Sequence, residues 1–419
     1  MTCVACIQTP RHTIRPALEM PARNCEHTVV LEERDASAEP TIRSCRTLPA
    51  YRMIRNTQPV RRSIEVEYWV IDDEGRLVEP GSLVEATPGA EREFVEPLLE
   101  VKTTPCESTA ELRAELLERL AAVLERADEL DKGLVPLSTP LNQAEIEEIS
   151  SERTRIQNEV IGEDFRYVRH CAGTHIHFEQ QPGCTIDQLN TLIALDPAFG
   201  LVNSARHFQG EQLAVGARSK LYRQLAYDGL DGQGQLWPYV TDRQEWEMRL
   251  ESRYKAFYER AIDAGLKDEA IESCFDPESA VWTPVQLRAE FGTVEWRSPD
   301  ATLPSQIIQL AETMGEIIEQ VRDTDVRIGQ PARRTEDEIV IPPFETVTDY
   351  VYEAIREGLD STALRSYLER MGFDIGAYEP LAADIESREI SPSEARQLRV
   401  AYATDLHNDV VQRQPLEAD

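Results

Sequence analysis

The chain is short of lysine and of positive charge as a whole. Its 419 residues carry 44 Lys+Arg against 76 Asp+Glu, which gives a net charge of −32, and only five of the cations are lysine. Binding to a nucleic-acid backbone requires a basic surface, so this composition excludes nucleic acid as an expected partner. Carboxylates keep a protein soluble where salt screens charge, and the acidic excess therefore favours a protein from a halophile.

Long apolar segments are also missing. The sequence contains no run of 18 apolar residues, and its N-terminus lacks the hydrophobic stretch of a signal peptide. The eight cysteines are unevenly spaced, which does not suggest a disulfide framework in a chain of this length. We therefore expect a cytoplasmic protein with no membrane partner.

Residues 1–62 differ from the rest of the chain, because they carry a net charge of +4 while the remainder carries −36. They also hold four of the eight cysteines, and Cys3 and Cys6 with nearby histidines could supply zinc ligands. A strong zinc site would need a second CxxC or HxxxH at standard spacing, which is absent here. The alternative is a disordered arm, or a segment outside the native product, which would then start near Met53.

Regular secondary structure is predicted after Arg62. Strands are predicted over 64–71, 94–103, 172–180 and 291–298. Helices are predicted over 108–133 with a capping box from Ser108 to Glu111, over 185–207 with an interruption near Pro197, over 243–265, and over most of the chain after 304. The Gly-rich segment 228–238 is expected to be a loop, and 331–344 to be a charged joint before the last helices. This order of elements predicts an α+β fold.

Each predicted strand carries two polar residues whose spacing places them on one face of the sheet. The pairs are Glu65 with Glu67, Glu96 with Glu100, His175 with His177, and Glu295 with Arg297. A solvated face of an acidic protein would also show such pairs, but four of them weaken that interpretation. Like charges on neighbouring strands are destabilising unless a cation neutralises them, and a mostly oxygen ligand set favours Mg²⁺ or Mn²⁺ over zinc.

Arginines supply candidate anion-binding groups, since the guanidinium is planar and always charged. The candidates are Arg297, Arg288, Arg218 and Arg223. The last two lie in a basic island over 216–223, which could equally be a local cluster of counterions. Metal-bound carboxylates with arginines opposite them fit a nucleoside triphosphate and an acidic substrate. The P-loop motif GxxxxGK[ST] and a GxGxxG after a strand are both absent, so neither of those phosphate sites is expected.

Four of these segments, in this order, resemble motifs of the glutamate–cysteine ligase superfamily, most closely its bacterial and archaeal carboxylate–amine ligase branch. The segments are Ser63–Glu67 for G-[IV]-E-x-E, Glu96–Thr103 for E-x-x-x-E-x-x-T, Gly173–His177 for G-x-H-x-[HN], and Gly292–Arg297 for G-T-x-E-x-R. The match runs from about Ser63 to Ala301. Each motif is short, and four in the right order make a specific signal.

The resemblance implies a glutamine-synthetase-like catalytic domain, in which a curved, mostly antiparallel sheet holds two or three Mg²⁺ ions between its carboxylates and ATP. By motif position, the implied metal ligands are Glu65, Glu67, Glu96, Glu100, His175 and Glu295. Arg297 would contact the transferring phosphate, and Arg223 matches the family's arginine after the central helix. Arg288, Arg218 and His177 are the further candidates for cofactor binding, with His177 either binding a substrate or supporting His175. Ser63 departs from the motif's first glycine.

We therefore expect an ATP-dependent ligase that phosphorylates the γ-carboxylate of glutamate and joins it to an amine, with cysteine as the leading acceptor. The alternatives are another amine acceptor, a guanidino-kinase-like phosphotransferase on the same fold, and a non-enzymatic metal-binding protein. The retained carboxylates argue against a non-enzymatic metal-binding protein. A guanidino-kinase-like phosphotransferase would need an activated cysteine or an acidic loop, and we identify neither in the sequence. The expected domains are an arm over 1–62, a catalytic domain over 63–330 and a helical extension over 331–419. Oligomeric state is not readable from the sequence.

Overall fold

The computed structural model describes residues 59–413. The N-terminal arm predicted over 1–62, including its zinc candidates Cys3 and Cys6, lies outside these residues except for its last four. The described residues belong to one compact unit. The division predicted at residue 331 stays a prediction, and apolar side chains from both sides of it, such as Val326 and Ile339, share one hydrophobic core.

Strands and helices are interspersed along the described chain. The strands are β1 Arg62–Asp72, β2 Ala90–Arg92, β3 Leu98–Lys102, β4 Lys132–Val135, β5 Thr174–Glu179, β6 His207–Phe208, β7 Glu211–Gln212, β8 Val285–Arg288, β9 Thr293–Trp296, β10 Asp325–Ile328, β11 Arg333–Arg334 and β12 Glu338–Ile341. The helices are α1 Thr109–Asp128, α2 Glu152–Ile161, α3 Phe165–Arg169, α4 Thr185–Leu195, α5 Ala217–Lys220, α6 Arg243–Asp263, α7 Asp268–Cys274, α8 Pro277–Ala280, α9 Pro304–Val321, α10 Phe344–Arg356, α11 Thr362–Met371 and α12 Pro392–Arg413. None of the described helices is long and apolar enough to cross a membrane.

The largest sheet is antiparallel throughout and has the strand order β2-β3-β1-β5-β9-β8, with β4 also pairing with β1. Its central strand β1 buries Ile64, Val66 and Tyr68 completely, because these alternate residues face the core. Helices α1, α4 and α9 pack on that side of the sheet. The opposite face therefore carries the alternate, polar residues, and the predicted α+β class with a mostly antiparallel sheet is confirmed.

Some predicted boundaries were wrong. The strand predicted over 94–103 begins only at Leu98, and Glu96 lies before it, donating its backbone N–H to the Glu147 carbonyl. Helix α1 is capped by Ser108, but Glu111 accepts the N–H of Glu107 rather than that of Ser108, so the capping box does not form. The helix ends five residues before Gly133, which instead lies in β4.

Two further regions differ from the prediction because their elements are short. The helix predicted over 185–207 ends at Leu195, and a 3₁₀ helix over Asp196–Val202, with Pro197 near its start, replaces its second half. The charged joint predicted over 331–344 contains β11 and β12, which form a small sheet with β10. Strands of two to four residues are too short for an alternating pattern to identify them. The loop predicted over 228–238 contains no helix or strand, as expected.

Candidate active site

The register of the large sheet brings the predicted polar pairs onto one patch of its open face. Glu67 on β1 lies opposite Glu100 on β3, while Glu65 on β1 lies opposite His175 on β5. On the next strand pair, His177 lies opposite Glu295. Because directly opposed residues have Cβ atoms about 5 Å apart, four strands contribute to a single site.

One half of the site combines two histidines with two carboxylates. The Nδ1 atom of His175 lies 3.4 Å from a Glu65 oxygen and 3.5 Å from a Glu295 oxygen. The Nε2 atom of His177 lies 3.7 Å from Glu65 and 3.8 Å from Glu295, while its Nδ1 is 3.0 Å from the Thr293 hydroxyl. His177 Nε2 is buried and has no hydrogen-bond partner among the described residues.

The carboxylates of this half are held in their charged form. Burial opposes ionisation of Glu65, but the hydrogen bond from His175 and the nearby ring of His177 hold the pKa of Glu65 well below its ordinary value. Burial likewise disfavours the charged form of Glu295, and the charges of Arg297 and the two histidines outweigh it, lowering the pKa of Glu295 to about 2. Burial also lowers the pKa of His175. Because a metal ion binds ionised carboxylates and neutral imidazole, a bound cation would take the place of the positive charge on the histidines.

The other half of the site is a cluster of three carboxylates, Glu67, Glu93 and Glu100, whose oxygens approach within 4.8 Å of one another. Burial raises the pKa of Glu67 to about 7, and burial with the charge of Glu67 raises the pKa of Glu93 to about 7. Burial and the charges of Glu93 and Glu65 raise the pKa of Glu100 to about 9. At neutral pH, all three carboxylates can be ionised together only if a further cation neutralises their charge.

Gly173 lies beside this cluster, where the space for a side chain is taken by Arg218. The backbone N–H of Gly173 donates a 2.6 Å hydrogen bond to Glu67. A Cβ atom at Gly173 would collide with the guanidinium of Arg218, which lies against this backbone. The glycine of the motif Gly173–His177 thus permits the close approach of Arg218 to the main chain that orients Glu67.

Glu93 is a member of the cluster that sequence reasoning missed, and Glu96 is the predicted ligand that the structure does not bring there. Glu96 is exposed and precedes β3, whereas Glu93 is half-buried and lines the same cavity as Glu67 and Glu100. The five residues between β2 and β3 do not continue either strand, so the i and i+4 spacing of Glu96 and Glu100 does not place both on one face. No pattern in the sequence distinguishes Glu93 from its acidic neighbours.

Two of the four candidate arginines line the site. Arg288 on β8 pairs with Glu295 at 2.8 Å and also lies 3.5 Å from Glu278. Arg297, directly after β9, lies 3.5 Å from Glu295 and 3.4 Å from the side-chain oxygen of Gln286. Both guanidinium groups therefore face the carboxylate that also faces the two histidines.

The other two arginines lie behind the site. Arg218 is buried and donates to backbone carbonyls, including those of Ser298 and Pro299. Arg223 is buried against Asp196 at 2.8 Å and donates to the Ser298 hydroxyl. Neither arginine lines the cavity beside the acidic face, so the geometry does not place either of them in contact with a bound substrate.

The acidic face forms one wall of a cavity of about 440 Å³. Sequence reasoning missed two cations in its lining, Lys102, which pairs with Glu100 at 2.7 Å, and Arg153 on α2. It also missed the opposite wall, which is rich in aromatic and aliphatic side chains. This wall comes from the helical region around α2, α3 and α6 together with the segment 279–282. These residues are distant in sequence from the motifs, and only folding brings them together.

The donor set fits divalent cations. Carboxylate and imidazole atoms form three overlapping groups in which the candidate ligand atoms lie within 4.8 Å of one another: Glu65, His177 and Glu295; Glu65, Glu100 and His175; and Glu67, Glu93 and Glu100. The unpaired buried Nε2 of His177 and the raised pKa values of the acidic cluster are both relieved by a bound cation.

The fold and the site thus define an α+β protein that presents clustered carboxylates, two histidines and arginines on the open face of an antiparallel sheet. In sequence, the chain is 26% identical over an alignment of 276 positions to "Putative glutamate--cysteine ligase 2" of Chloroflexus aggregans. The aligned part is 61% of this chain and 63% of that relative, so the chain covers less than two thirds of the relative's length. This similarity confirms the predicted resemblance to glutamate–cysteine ligases.

Similar solved structures include a bifunctional glutathione synthetase from Pasteurella multocida, with a TM-score of 0.49 and 15% identity over 85% of this chain and 53% of that chain. A glutamate–cysteine ligase from Francisella tularensis in complex with AMP has a TM-score of 0.41 and 13% identity over 86% of this chain and 96% of that chain. A glutamine synthase homologue has a TM-score of 0.38 and 12% identity over 82% and 70% of the two chains. No protein-family model matches the chain.

Proposed function

We propose that the protein is an ATP- and Mg²⁺-dependent carboxylate–amine ligase acting on glutamate, with cysteine as the leading acceptor and γ-glutamylcysteine as the corresponding product. The observation that carries the proposal is the convergence of Glu65, Glu67, Glu93, Glu100, Glu295, His175 and His177 on one sheet face, beside Arg288 and Arg297. The similarity to a relative named as a glutamate–cysteine ligase supports the same reaction class. Mn²⁺ would suit the same donors.

Two sets of residues would hold the cations. Glu65, His177 and Glu295 form one set on β1, β5 and β9, and Glu67, Glu93 and Glu100 form the other on β1 and around β3. His175 lies between them, near both Glu65 and Glu100. When bound, the cations would neutralise phosphate oxygens and so allow two anions to approach each other.

The reaction in this proposal has two steps. An oxygen of the glutamate γ-carboxylate attacks the γ-phosphorus of ATP. The bond between this phosphorus and the ADP oxygen breaks, and an acyl phosphate forms. The amine nitrogen then attacks the acyl carbon, the carbon–oxygen bond to phosphate breaks, and the nitrogen loses a proton to give the amide. Arg297 and Arg288 are placed to orient phosphate oxygens, because their guanidinium groups line the cavity next to Glu295.

The acyl phosphate must be protected from water, and the loop 229–234 is our candidate for covering it. Leu230 and Gln233 from this loop line the cavity. Gln233 also accepts the backbone N–H of Trp282 and donates to the Ala280 carbonyl, which ties the loop to the aromatic wall. The loop therefore already forms part of the cavity's enclosure.

Phosphate release tests the proposal. Purified protein with ATP and Mg²⁺ is expected to release phosphate only when glutamate and an amine acceptor are both present, because the acyl phosphate is consumed by the amine. The substitution Glu295→Gln should lower this rate at least about 100-fold, since it removes a carboxylate shared by the histidines and arginines. Glu179→Gln is the matched control, because Glu179 is on β5 but pairs with Arg61 outside the cavity. A panel of acceptors without any glutamate-dependent release would contradict the proposal.

A further inference from the structure

The ring of His177 has one paired nitrogen and one unpaired nitrogen. Its Nδ1 atom lies 3.0 Å from the hydroxyl oxygen of Thr293 on the neighbouring strand β9. Its Nε2 atom is buried and has no hydrogen-bond partner among the described residues, and the residue as a whole is only 4% exposed. Because an unpaired polar atom that is shut away from water costs free energy, the orientation of this ring points to a ligand at Nε2.

The unpaired Nε2 atom faces two carboxylates. It lies 3.7 Å from an oxygen of Glu65 and 3.8 Å from an oxygen of Glu295, and both separations are longer than a hydrogen bond. Ligand atoms that each lie about 2.1 Å from one Mg²⁺ ion are separated by roughly 3–4 Å. The nitrogen and the two oxygens are therefore spaced as ligands of one cation rather than as hydrogen-bonded partners.

Thr293 lies beside His177 because of the register of β5 and β9. His177 lies opposite Glu295, and Glu179 lies opposite Thr293. Residues two apart on a strand share a face, so the side chains of Thr293 and Glu295 both project beside the ring of His177. One strand thus provides the contact at Nδ1 and one of the two contacts at Nε2.

The hydroxyl of Thr293 is not needed to hold its own strand. The backbone of Thr293 is fixed by its pairing with Glu179 and by its carbonyl, which accepts the side-chain amide of Gln180 at 2.9 Å. Among the described residues, the hydroxyl forms a hydrogen bond with His177 alone. The hydroxyl therefore orients the imidazole and adds nothing to the pairing of the sheet.

A hydroxyl at Nδ1 decides which nitrogen can bind a cation. A neutral imidazole carries its proton on one nitrogen and has a lone pair at the other, and a metal ion binds the lone pair. The Thr293 oxygen can accept the proton of Nδ1–H, which leaves the lone pair at Nε2. A histidine that binds a metal ion usually donates its other ring N–H to such a partner, and this hydrogen bond fixes the orientation of the ring.

We propose that Thr293 is a positioning residue for cation binding, because its hydroxyl accepts Nδ1–H of His177 and so directs the Nε2 lone pair towards Glu65 and Glu295. This inference rests on the cation set of the proposed function that contains Glu65, His177 and Glu295. Thr293 acts only through His177 and contacts neither the cation nor a substrate. Loss of the hydroxyl should therefore weaken cation binding at this set and spare the second set, which consists of carboxylates alone.

Mn²⁺ binding without substrates tests this role. The free Mn²⁺ signal in electron paramagnetic resonance gives the dissociation constants of the bound ions. Thr293→Val keeps the shape of the side chain and removes the hydroxyl, so it should raise the dissociation constant of one ion at least about tenfold. Thr293→Ser keeps the hydroxyl and should stay within about threefold of the unchanged protein. Thr348→Val is the matched control and should change neither constant, because the half-buried Thr348 hydroxyl donates to the Phe344 carbonyl on α10, outside the cavity.

A double-mutant cycle shows whether Thr293 acts through His177. In a His177→Ala background, Thr293→Val should raise the dissociation constant less than about twofold further, because the ring that the hydroxyl orients is absent. A purely structural effect of the hydroxyl on β9 would instead cause the full loss of affinity in both backgrounds. Urea unfolding of each variant, followed by tryptophan fluorescence, checks that folded proteins are compared.

The position of the ring proton is measured directly by nitrogen-15 spectra of histidine-labelled protein. The signals of His177 are assigned by their loss in His177→Ala. In saturating Mg²⁺ the proton should lie on Nδ1, next to the Thr293 oxygen. A proton on Nε2 under these conditions would overturn the proposal, because it would occupy the position of the lone pair.

The outcomes separate this inference from the ligase function. Equal Mn²⁺ binding by Thr293→Val and Thr348→Val, equal losses in Thr293→Val and Thr293→Ser, or full additivity in the cycle would overturn the role of Thr293. Mn²⁺ binding that depends on Thr293, without glutamate-dependent phosphate release, would overturn the ligase function and leave this inference intact. A protein that binds no Mn²⁺ would overturn both.

Discussion

At the scale of the residue, the acidic half of the site depends on Glu93, which no motif identifies. Glu93 lies with Glu67 and Glu100 in a group of three carboxylates, while Glu96 is exposed and bonded through its backbone to Glu147. The two glutamates are three residues apart and differ only in their position relative to β3. They therefore offer an internal comparison of a cluster carboxylate and a surface carboxylate.

We predict that Glu93→Gln lowers the ligase rate at least about 100-fold and raises the Mg²⁺ concentration needed for half-maximal rate, because one of three clustered charges is lost. The matched change Glu96→Gln should leave the rate within about twofold. Steady-state phosphate release as a function of Mg²⁺ measures both effects. Equal losses of rate in the two variants, or a loss of rate confined to Glu96→Gln, would contradict the assignment of Glu93 rather than Glu96 to the carboxylate cluster.

The residue scale also shows what sequence reasoning could reach. Alternation along regular strands places Glu65, Glu67, His175, His177 and Glu295 on one face, with Arg297 directly after β9, and the structure brings them together as expected. Glu93 lies outside regular structure, and Arg153 and Trp282 come from a distant wall. Periodicity has no information about residues whose position depends on loops and on long-range packing.

At the scale of the element, β9 is held from behind by a buried network. Asp196 accepts hydrogen bonds from Arg223 at 2.8 Å and from the Trp296 indole at 3.0 Å, and it also bonds the Ser298 hydroxyl. Trp296 and Ser298 flank Arg297 in sequence, and Glu295 precedes them on the same strand. The predicted catalytic residue Arg223 is thus placed to hold the strand that carries Glu295 and Arg297.

We predict that Asp196→Asn destabilises the protein by about 3–5 kcal/mol, because it leaves the buried Arg223 guanidinium without its counter-ion. Urea unfolding followed by tryptophan fluorescence measures the free energy of unfolding. The control Glu152→Gln breaks the exposed pair with Arg155 and should leave that free energy unchanged within error. If Asp196→Asn lowers the free energy of unfolding as little as the control does, a positioning role for this network is contradicted.

Fold elements were predictable where they were long and regular. Strand β1 and helices α1, α6 and α9 carry enough periodic residues to be located, although α1 ends five residues before the predicted glycine. Strands β8, β10, β11 and β12 are four residues or shorter and were missed. Short strands are defined by their partners, which the local sequence does not contain.

At the scale of the whole molecule, the net charge of −32 has two separate consequences. Most acidic residues are surface groups, and a halophilic origin stays a prediction. A small number of carboxylates instead line one cavity, where Glu67, Glu93 and Glu100 are difficult to ionise together. The stability of the cation-free protein should therefore depend on pH through this cluster.

We predict that the free energy of unfolding of the cation-free protein falls between pH 7.5 and 8.5 at fixed salt. Glu100 has a folded pKa of about 9, above its unfolded value, so the folded state binds the extra proton and loses stability as the pH rises. Mg²⁺ should stabilise the protein more at pH 8.5 than at pH 7.5, and Glu100→Gln should reduce the fall. Urea unfolding in EDTA and in Mg²⁺ checks this, and stability that rises with pH in EDTA would contradict it.

The central claim is that this sheet face activates a carboxylate by phosphorylation, and oxygen labelling tests it most directly. Glutamate carrying ¹⁸O in its γ-carboxylate is turned over with ATP, Mg²⁺ and an accepted amine, and the released phosphate is analysed by mass spectrometry. The account predicts one ¹⁸O atom in each phosphate, because the acyl-phosphate oxygen comes from glutamate and leaves with phosphorus. Phosphate without ¹⁸O, at the same rate of ATP cleavage, would contradict it.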